Sequence, residues 1–307
     1  HPAGAYGGAS KSLIELFQIL KRDGVCGTVL TPHGGSAKAF EDAGMSTIEV
    51  AGLSQFDNTQ YGHYRSLRWL ILFRELAYLP GSLMAIWRLR GQHFDLLHAN
   101  EVTLLPIAIV AKKLLKTPLV VHVRSLQCKR NSNWRSRLVS RWLKVYADVV
   151  IPIDHTVART LDPNLTLNVV HNGLSVPNVC LQKKVQHSDR EPIRVGFMGV
   201  LIALKGVYEL VDAMRILKER GAEIECVIAG ENAREIKGVR AWALRKMGFA
   251  SDVCAELKQK IKQHGLDNQV TLLGFVKDVN AIYPTFDILC FPSHLNAAGR
   301  PVFEAAF

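Results

Sequence analysis

Short, almost wholly apolar runs recur along the chain, and each is followed by a stretch with helical periodicity. "PLVVHV" (Pro118–Val123), "DVVIPI" (Asp148–Ile153) and "EIECVIAG" (Glu223–Gly230) are such runs. A strand with one face in water alternates polar and apolar residues; a strand that is apolar throughout is buried on both faces. Alternation of such strands with helices predicts a parallel sheet covered by helices on each side, a doubly wound α/β architecture. The run of strands continues through "VCGTVLT" (Val25–Thr31), "STIEV" (Ser46–Val50), "FDLLHA" (Phe94–Ala99) and "LNVVH" (Leu167–His171). It then breaks at the polar, proline-containing "NGLSVPNVCLQKKVQHSDREP" (Asn172–Pro192). The rhythm restarts with "IRVGFMG" (Ile193–Gly199), "QVTLLGF" (Gln269–Phe275) and "DILCFPS" (Asp287–Ser293).

Two such domains in series are expected: residues 1–175, a linker over 176–192, and residues 193–307. A length of 307 residues suits two domains at roughly 150 residues each. Ligands of doubly wound sheets bind beyond the carboxyl ends of the strands, so a cleft faced by both domains is the expected site. The first helix is legible in detail. "SKSLIELFQILKRDG" has apolar residues at Leu13, Ile14, Leu16, Phe17, Ile19 and Leu20, a helical pattern that stops at Gly24.

The six cysteines show no metal-ligand spacing. Cys26, Cys226 and Cys290 fall in expected strands and read as reduced, buried thiols of a cytoplasmic protein. The net charge of +11 is concentrated before Asn172, where 20 Lys and Arg face 12 Asp and Glu. Basic and aromatic residues interleave over Tyr64–Phe94 and again over Asn133–Lys144. That mixture fits a helix at an anionic membrane surface better than a nucleic-acid groove, with a buried helix pair that exposes a basic edge as an equal alternative. Apolar runs such as Thr103–Ala111 are far short of the ~20 residues that span a bilayer.

Three loops have anion-binding character. In "GAYGGASKSLIEL", Gly7 and Gly8 precede a helix start, where free N–H groups and the helix dipole attract negative charge; a tight turn needing positive φ is the structural alternative. Neither a G-x-G-x-x-G nor a P-loop is present. In "GFMGVLIALKG", Lys205 follows a strand end and can approach a diphosphate, or is an ordinary surface lysine. In "SHLNAAGRPVFEAAF", small residues lead into a helix with Pro301 early and Glu304 one turn in, where a carboxylate either suits the helix dipole or receives two hydroxyls of a ribose.

With "GGASKSL", "VVHNGLS", "GVLIALKG", "VTLLGFV" and "NAAGRPVFEAA" in that order, the chain resembles the family-4 retaining glycosyltransferases of GT-B fold, whose two Rossmann-like domains face a cleft. The resemblance implies transfer of a sugar from a nucleotide-sugar donor to a glycan or lipid-linked acceptor. It implies that Gly7 and Gly8 contact donor phosphates and acceptor, and that Lys205 neutralises the diphosphate. Gly274, Phe275 and Val276 would read the nucleobase through the backbone, amides near Gly299 and Arg300 would cradle phosphates, and Glu304 would hold the ribose. Three positions depart from the family pattern. Val200 stands where an arginine is usual, Asn296 replaces the first glutamate of E-x7-E, and "LLHANE" keeps His98 of an H-x-H pattern but has Asn100 second. His122 in "VVHVRS" is another candidate at a strand end, and for both His98 and His122 the alternative is a core histidine that closes a strand. No D-x-D occurs, so no metal and no other cofactor is expected.

The resemblance also implies a strand before His1 and further elements after Phe307. The chain is therefore expected to be a fragment, inactive and marginally stable by itself. A sugar-nucleotide epimerase and a non-catalytic sugar-nucleotide-binding protein are the alternatives. The expected place of work is the cytoplasm, peripheral to the inner face of the plasma membrane, in cell-envelope polysaccharide synthesis.

Overall fold

The computed structural model describes residues 1–60, 62, 69–128, 133–174, 192–232, 252–276, 278–295 and 299–306. The chain divides into two compact units, His1–Ser175 and Val176–Phe307. Both are α/β with parallel strands only in their named ladders.

Unit 1 opens with α1 (Gly8–Leu20), which ends through a 3-10 turn at Gly24. Gly24 has φ 82°, a left-handed conformation that glycine adopts without a Cβ penalty, and it stops the helix where the sequence places the stop. Strands β1 (Thr28–Pro32) and β2 (Ser46–Val50) flank α2 (Gly35–Asp42) and pair from Thr28 with Ser46 to Pro32 with Val50. A three-stranded ladder holds β3 (Leu97–Ala99), β4 (Leu119–Val123) and β5 (Val149–Pro152) in that order. Helices α3 (Ile71–Arg88), α4 (Leu105–Leu115) and α5 (Trp134–Tyr146) complete its layers, with the single turn α6 (His155–Ala158) after β5. Leu119, Val121 and Val123 are fully buried in the middle strand, as continuous apolarity requires.

Unit 2 carries β6 (Ile193–Met198), α7 (Val207–Glu219), β7 (Ile224–Ala229), α8 (Val253–Gln263), β8 (Val270–Gly274), β9 (Ile288–Leu289) and α9 (Arg300–Glu304). The strand order is β8-β7-β6-β9. Its core gathers Phe197, Leu201, Val207, Val211, Ile228 and Leu257, all at or near zero exposure.

Several expected elements are shorter or absent. The strand expected over Val25–Thr31 starts only at Thr28, because the left-handed turn at Gly24 and the approach of Gly27 to the Phe17 ring precede it. Cys26 therefore lies outside the strand and is exposed, against its reading as a buried thiol; Cys226 is buried and Cys290 half-buried. Leu167–His171 forms no ladder. It runs beside β5 through one bridge, Val150 with Leu167, and the bonds Asn168 N to Val150 O and Val170 N to Pro152 O. The strand expected over Asp287–Ser293 contracts to Ile288–Leu289. Val176–Glu191, most of the expected linker, lies outside the described residues.

Candidate functional site

The order β8-β7-β6-β9 turns the chain from one side of β6 to the other, so the crevice of unit 2 lies outside the carboxyl ends of β6 and β9. The loops leaving those two strands are built to touch. Gly206 has φ 73°, and a Cβ there would come within 1.9 Å of Pro292 O, so only glycine permits the approach. His294 N donates to Leu204 O at 2.9 Å across the same seam.

Phe291 is the floor of this crevice. Its ring stacks on Phe197 with centroids 5.6 Å apart. Lys205 Nζ lies 5.7 Å from the Phe291 centroid, a cation–π distance. The ring also lies against Gly299, where a Cβ would meet it at 2.5 Å. One aromatic ring thus joins Lys205 to the loop that starts α9.

Burial pushes the Lys205 pKa below the ordinary lysine range, and no carboxylate among the described residues lies within ion-pair distance of it. Lys205 is half-buried, and a partly desolvated ammonium without a counter-ion costs free energy that an arriving anion recovers. In α9, Arg300 Nε donates to Glu304 Oε1 at 2.6 Å, and Tyr283 Oη donates to Glu304 Oε2 at 2.7 Å. The carboxylate is thereby held in one orientation. At the end of β8, Gly230 N donates to Gly274 O at 2.8 Å, and Glu231 Oε1 accepts from Phe275 N at 3.3 Å. Phe275 and Val276 follow, the former with its ring exposed. Gly274, Phe275, Val276, Lys205, Gly299, Arg300 and Glu304 therefore all lie at the carboxyl end of one sheet. Val200 is exposed beside them, and Asn296 lies outside the described residues.

Unit 1 brings its own candidates together at the ends of β3 and β4. Gly7 caps α1 with φ −164° and no side-chain cap, so its backbone is extended and does not require glycine. A Cβ at Gly7 or Gly8 would meet nothing within 4 Å. Neither conformation nor packing within the protein calls for glycine there, which leaves space at the helix mouth. The Asn100 Nδ2 group donates to Ala9 O at 3.4 Å and to His1 Nδ1 at 2.7 Å, tying this helix start to the end of β3. Asn100 Oδ1 accepts from Arg124 Nε at 2.9 Å, so both ends of its amide are engaged.

His98 and His122 face each other with ring centroids 5.5 Å apart. Burial, then the Arg124 charge, lowers the His98 pKa to about 4; the same causes and the neighbouring His98 lower His122 to about 3. Both rings are neutral near pH 7. Arg124 Nη2 lies 3.4 Å from His122 Nδ1 and can only donate, so the ring proton rests on Nε2. That buried Nε2 has no hydrogen-bond partner among the described residues.

The organising residues here escaped the sequence reading. Arg124 also holds Asn172 Oδ1 at 2.8 Å. Glu101 is buried, accepts from Ser125 Oγ at 2.7 Å, and has its pKa raised by burial. A charged residue placed immediately after a strand that is apolar but for His122 is the local sign of Arg124. Tyr283, 21 residues before Glu304, leaves no such sign.

The family model for Glycosyltransferase Family 4 matches residues 6–176, and that for Glycosyl transferases group 1 matches residues 181–306. The glycosyltransferase YqgM of Bacillus subtilis (strain 168) is 24% identical over 227 residues, covering 70% of this chain and 56% of that protein. The chain thus spans little more than half the length of this curated relative. HepE of Anabaena, solved in complex with UDP and glucose, superposes with a TM-score of 0.68 at 19% identity, over 99% of this chain and 76% of that one. Its complex with UDP-glucose gives 0.69 at 20%, with the same coverage. A glycosyltransferase from Rickettsia africae ESF-5 gives 0.68 at 16%, over 99% and 75% of the two chains. At such identities the likeness establishes the fold, that of GT-B glycosyltransferases.

Proposed function

The chain belongs to glycosyltransferase family 4, and from that premise we propose that it transfers a sugar from a nucleoside diphosphate donor to a hydroxyl of a glycan or lipid-linked acceptor, with retention at the anomeric carbon. The observation that carries the reading is the half-buried ammonium of Lys205, without an acidic partner among the described residues, at the switch point of a parallel sheet and joined through Phe291 to the start of α9. A diphosphate is the anion that fits it.

In this proposal Lys205 and the amides at Gly299 and Arg300 take the charge of the leaving diphosphate. Glu304 accepts the two ribose hydroxyls, held for that purpose by Tyr283 and Arg300. Backbone groups of Gly274–Val276 meet the base, and Asn296 hydrogen-bonds the sugar. Unit 2 is the donor domain. In the acceptor-side domain, unit 1, Gly7 and Gly8 leave room for phosphate or acceptor. His98 and Asn100 lie at the end of β3. The acceptor oxygen forms its bond to the anomeric carbon on the face from which the diphosphate departs. The anomeric C–O bond to phosphate breaks, and the acceptor proton passes to a phosphate oxygen. The protein supplies position and charge, with no metal. Uridine is the favoured base, because the HepE complexes hold UDP and UDP-glucose. The place of work is the inner face of the plasma membrane, in envelope polysaccharide synthesis.

Calorimetry of the full-length protein with UDP-, GDP- and ADP-sugars tests the donor, and the product's anomeric proton coupling tests retention. Failure of every donor to bind sinks the reading. Binding without transfer to any glycan or lipid acceptor leaves a sugar-nucleotide-binding protein in its place. Tyr283→Phe is expected to weaken UDP affinity about tenfold, since it removes a charge-assisted hydrogen bond of roughly 1.5–3 kcal/mol from Glu304. Unchanged affinity in that variant would separate Glu304 from the donor.

A further inference from the structure

Helix α3 is turned the wrong way round for a helix of a water-soluble surface. Its inward face buries Glu75 and Ser82 beside Ala85 and Ile86. Those polar groups are satisfied by the segment after β2: Glu75 Oε2 accepts from Gln55 N at 2.8 Å, and Ser82 Oγ accepts from Ser54 N at 3.1 Å. Its outward face is apolar. Phe73 is 70% exposed, Leu76 53%, Met84 51% and Trp87 47%, at spacings that make one stripe along the helix. Trp69 and Leu70 extend the stripe at the start of the helix.

Among the described residues of α3 and the turn to Arg90, the exposed charges are all positive. Glu75, the acidic residue of α3, is buried, whereas Arg88 and Arg90 are exposed at the helix end. The Arg90 guanidinium lies 3.9 Å over the Trp87 ring. At the other end Arg135 lies 5.4 Å over the Trp69 ring and carries the surface on to α5. That helix has no acidic residue and exposes Trp134, Arg137, Arg141 and Lys144. A protein partner of ordinary composition would have to bring its own acids to every edge. A bilayer with anionic headgroups meets the whole pattern: apolar side chains enter the acyl boundary, tryptophans lie at headgroup level and arginines pair with phosphates.

We propose that the outward stripe of α3, continued by the exposed side of α5, docks unit 1 on an anionic phospholipid bilayer. At 1.5 Å per residue the helix is about 27 Å long and lies in the plane of the interface. Among the described residues no helix is long and apolar enough to cross a membrane, so the attachment is peripheral. The docking rests on the surface alone. That it presents a lipid-linked acceptor to the transfer site rests on the glycosyltransferase reading above.

The test is sedimentation of the full-length protein with sucrose-loaded vesicles of phosphatidylcholine, with and without about 30% phosphatidylglycerol, at low and high salt. Sedimentation is expected with phosphatidylglycerol at low salt, with a blue shift of tryptophan emission. Phe73→Ser combined with Trp87→Ser is expected to reduce partition by about tenfold or more. Arg88→Gln combined with Arg90→Gln is expected to remove the preference for phosphatidylglycerol. These side chains are exposed, and an unchanged circular dichroism spectrum and melting temperature report that unit 1 of the variants folds. No sedimentation with either vesicle, or a Phe73→Ser/Trp87→Ser protein that sediments like the parent, overturns the proposal. So does a dimer in solution that those serines dissolve, which would make a second copy the occupant. Vesicle binding by a protein that binds no nucleotide would overturn the donor reading and leave the docking standing.

Discussion

Lys205→Met lowers sugar transfer by about 10²–10³-fold, the loss typical of removing one preorganised charge from the developing anion of a transition state. The same substitution leaves the nucleotide-free protein as stable as before, or more so. The sign follows from burial. Desolvation lowers the Lys205 pKa, so the unfolded chain holds this proton more tightly than the folded one, and the charge opposes folding until an anion arrives. Methionine keeps the length and apolar stem over Phe291 without the charge. A lysine with a purely structural task would show the opposite: lower stability and transfer nearly intact. The checks are kcat at saturating donor and the melting temperature with and without UDP. UDP is expected to raise the melting temperature of the parent clearly more than that of the variant. Transfer within about threefold of the parent would remove Lys205 from the mechanism.

Unit 1 loses stability as pH falls below about 6.5, through the His98–His122 pair. Their folded pKa values, about 4 and about 3, lie under the ordinary histidine value of 6.5. Between 6.5 and those values the unfolded chain binds protons that the folded unit refuses. Stability is therefore full above the unfolded pKa and is lost steadily as pH drops through the window. Each ring contributes up to roughly 3 kcal/mol of loss by about pH 4. Arg124 beside both rings keeps them from recovering the charge, while Glu101, whose raised pKa favours its protonated form in the fold, offsets part of the loss at the acid end. Amide hydrogen exchange of β3 and β4 between about pH 7 and pH 4.5 reads the effect within this unit, after correction for intrinsic exchange. His122→Gln is expected to flatten the dependence. Protection that stays constant across the window would mean that the rings are solvated in the folded protein.

The parts of the fold that could be read from the residues are those with a period. Leu119–Val123 lies within the expected Pro118–Val123 because a strand covered on both faces is apolar along nearly its whole length, here at all positions but His122. The first helix stops at Gly24 because its left-handed turn favours the residue without a Cβ. Where one partner of a pairing is irregular, the reading overran. Leu167–His171 is apolar enough for a strand, but only one bridge joins it to β5. Cys26 has the apolar neighbours of a strand residue, yet two glycines, Gly24 and Gly27, delay the strand to Thr28. The proposed site divides in the same way. Lys205, Gly299 and Glu304 were visible as a lysine after a strand and a small-residue loop into a helix. The groups that aim them were not.

The chain by itself determined the layered α/β architecture, its parallel strands and the loops at their carboxyl ends, since each is written in the spacing of neighbouring residues. The tertiary structure alone decided that Tyr283 locks Glu304, that Phe291 joins Lys205 to Gly299, that Arg124 orients Asn100 and His122, and that α3 turns its apolar side outward. Those contacts join residues far apart in the chain, or depend on which face of a helix its neighbours leave uncovered. Neither leaves a periodic trace, because it is the packing of whole elements that sets them.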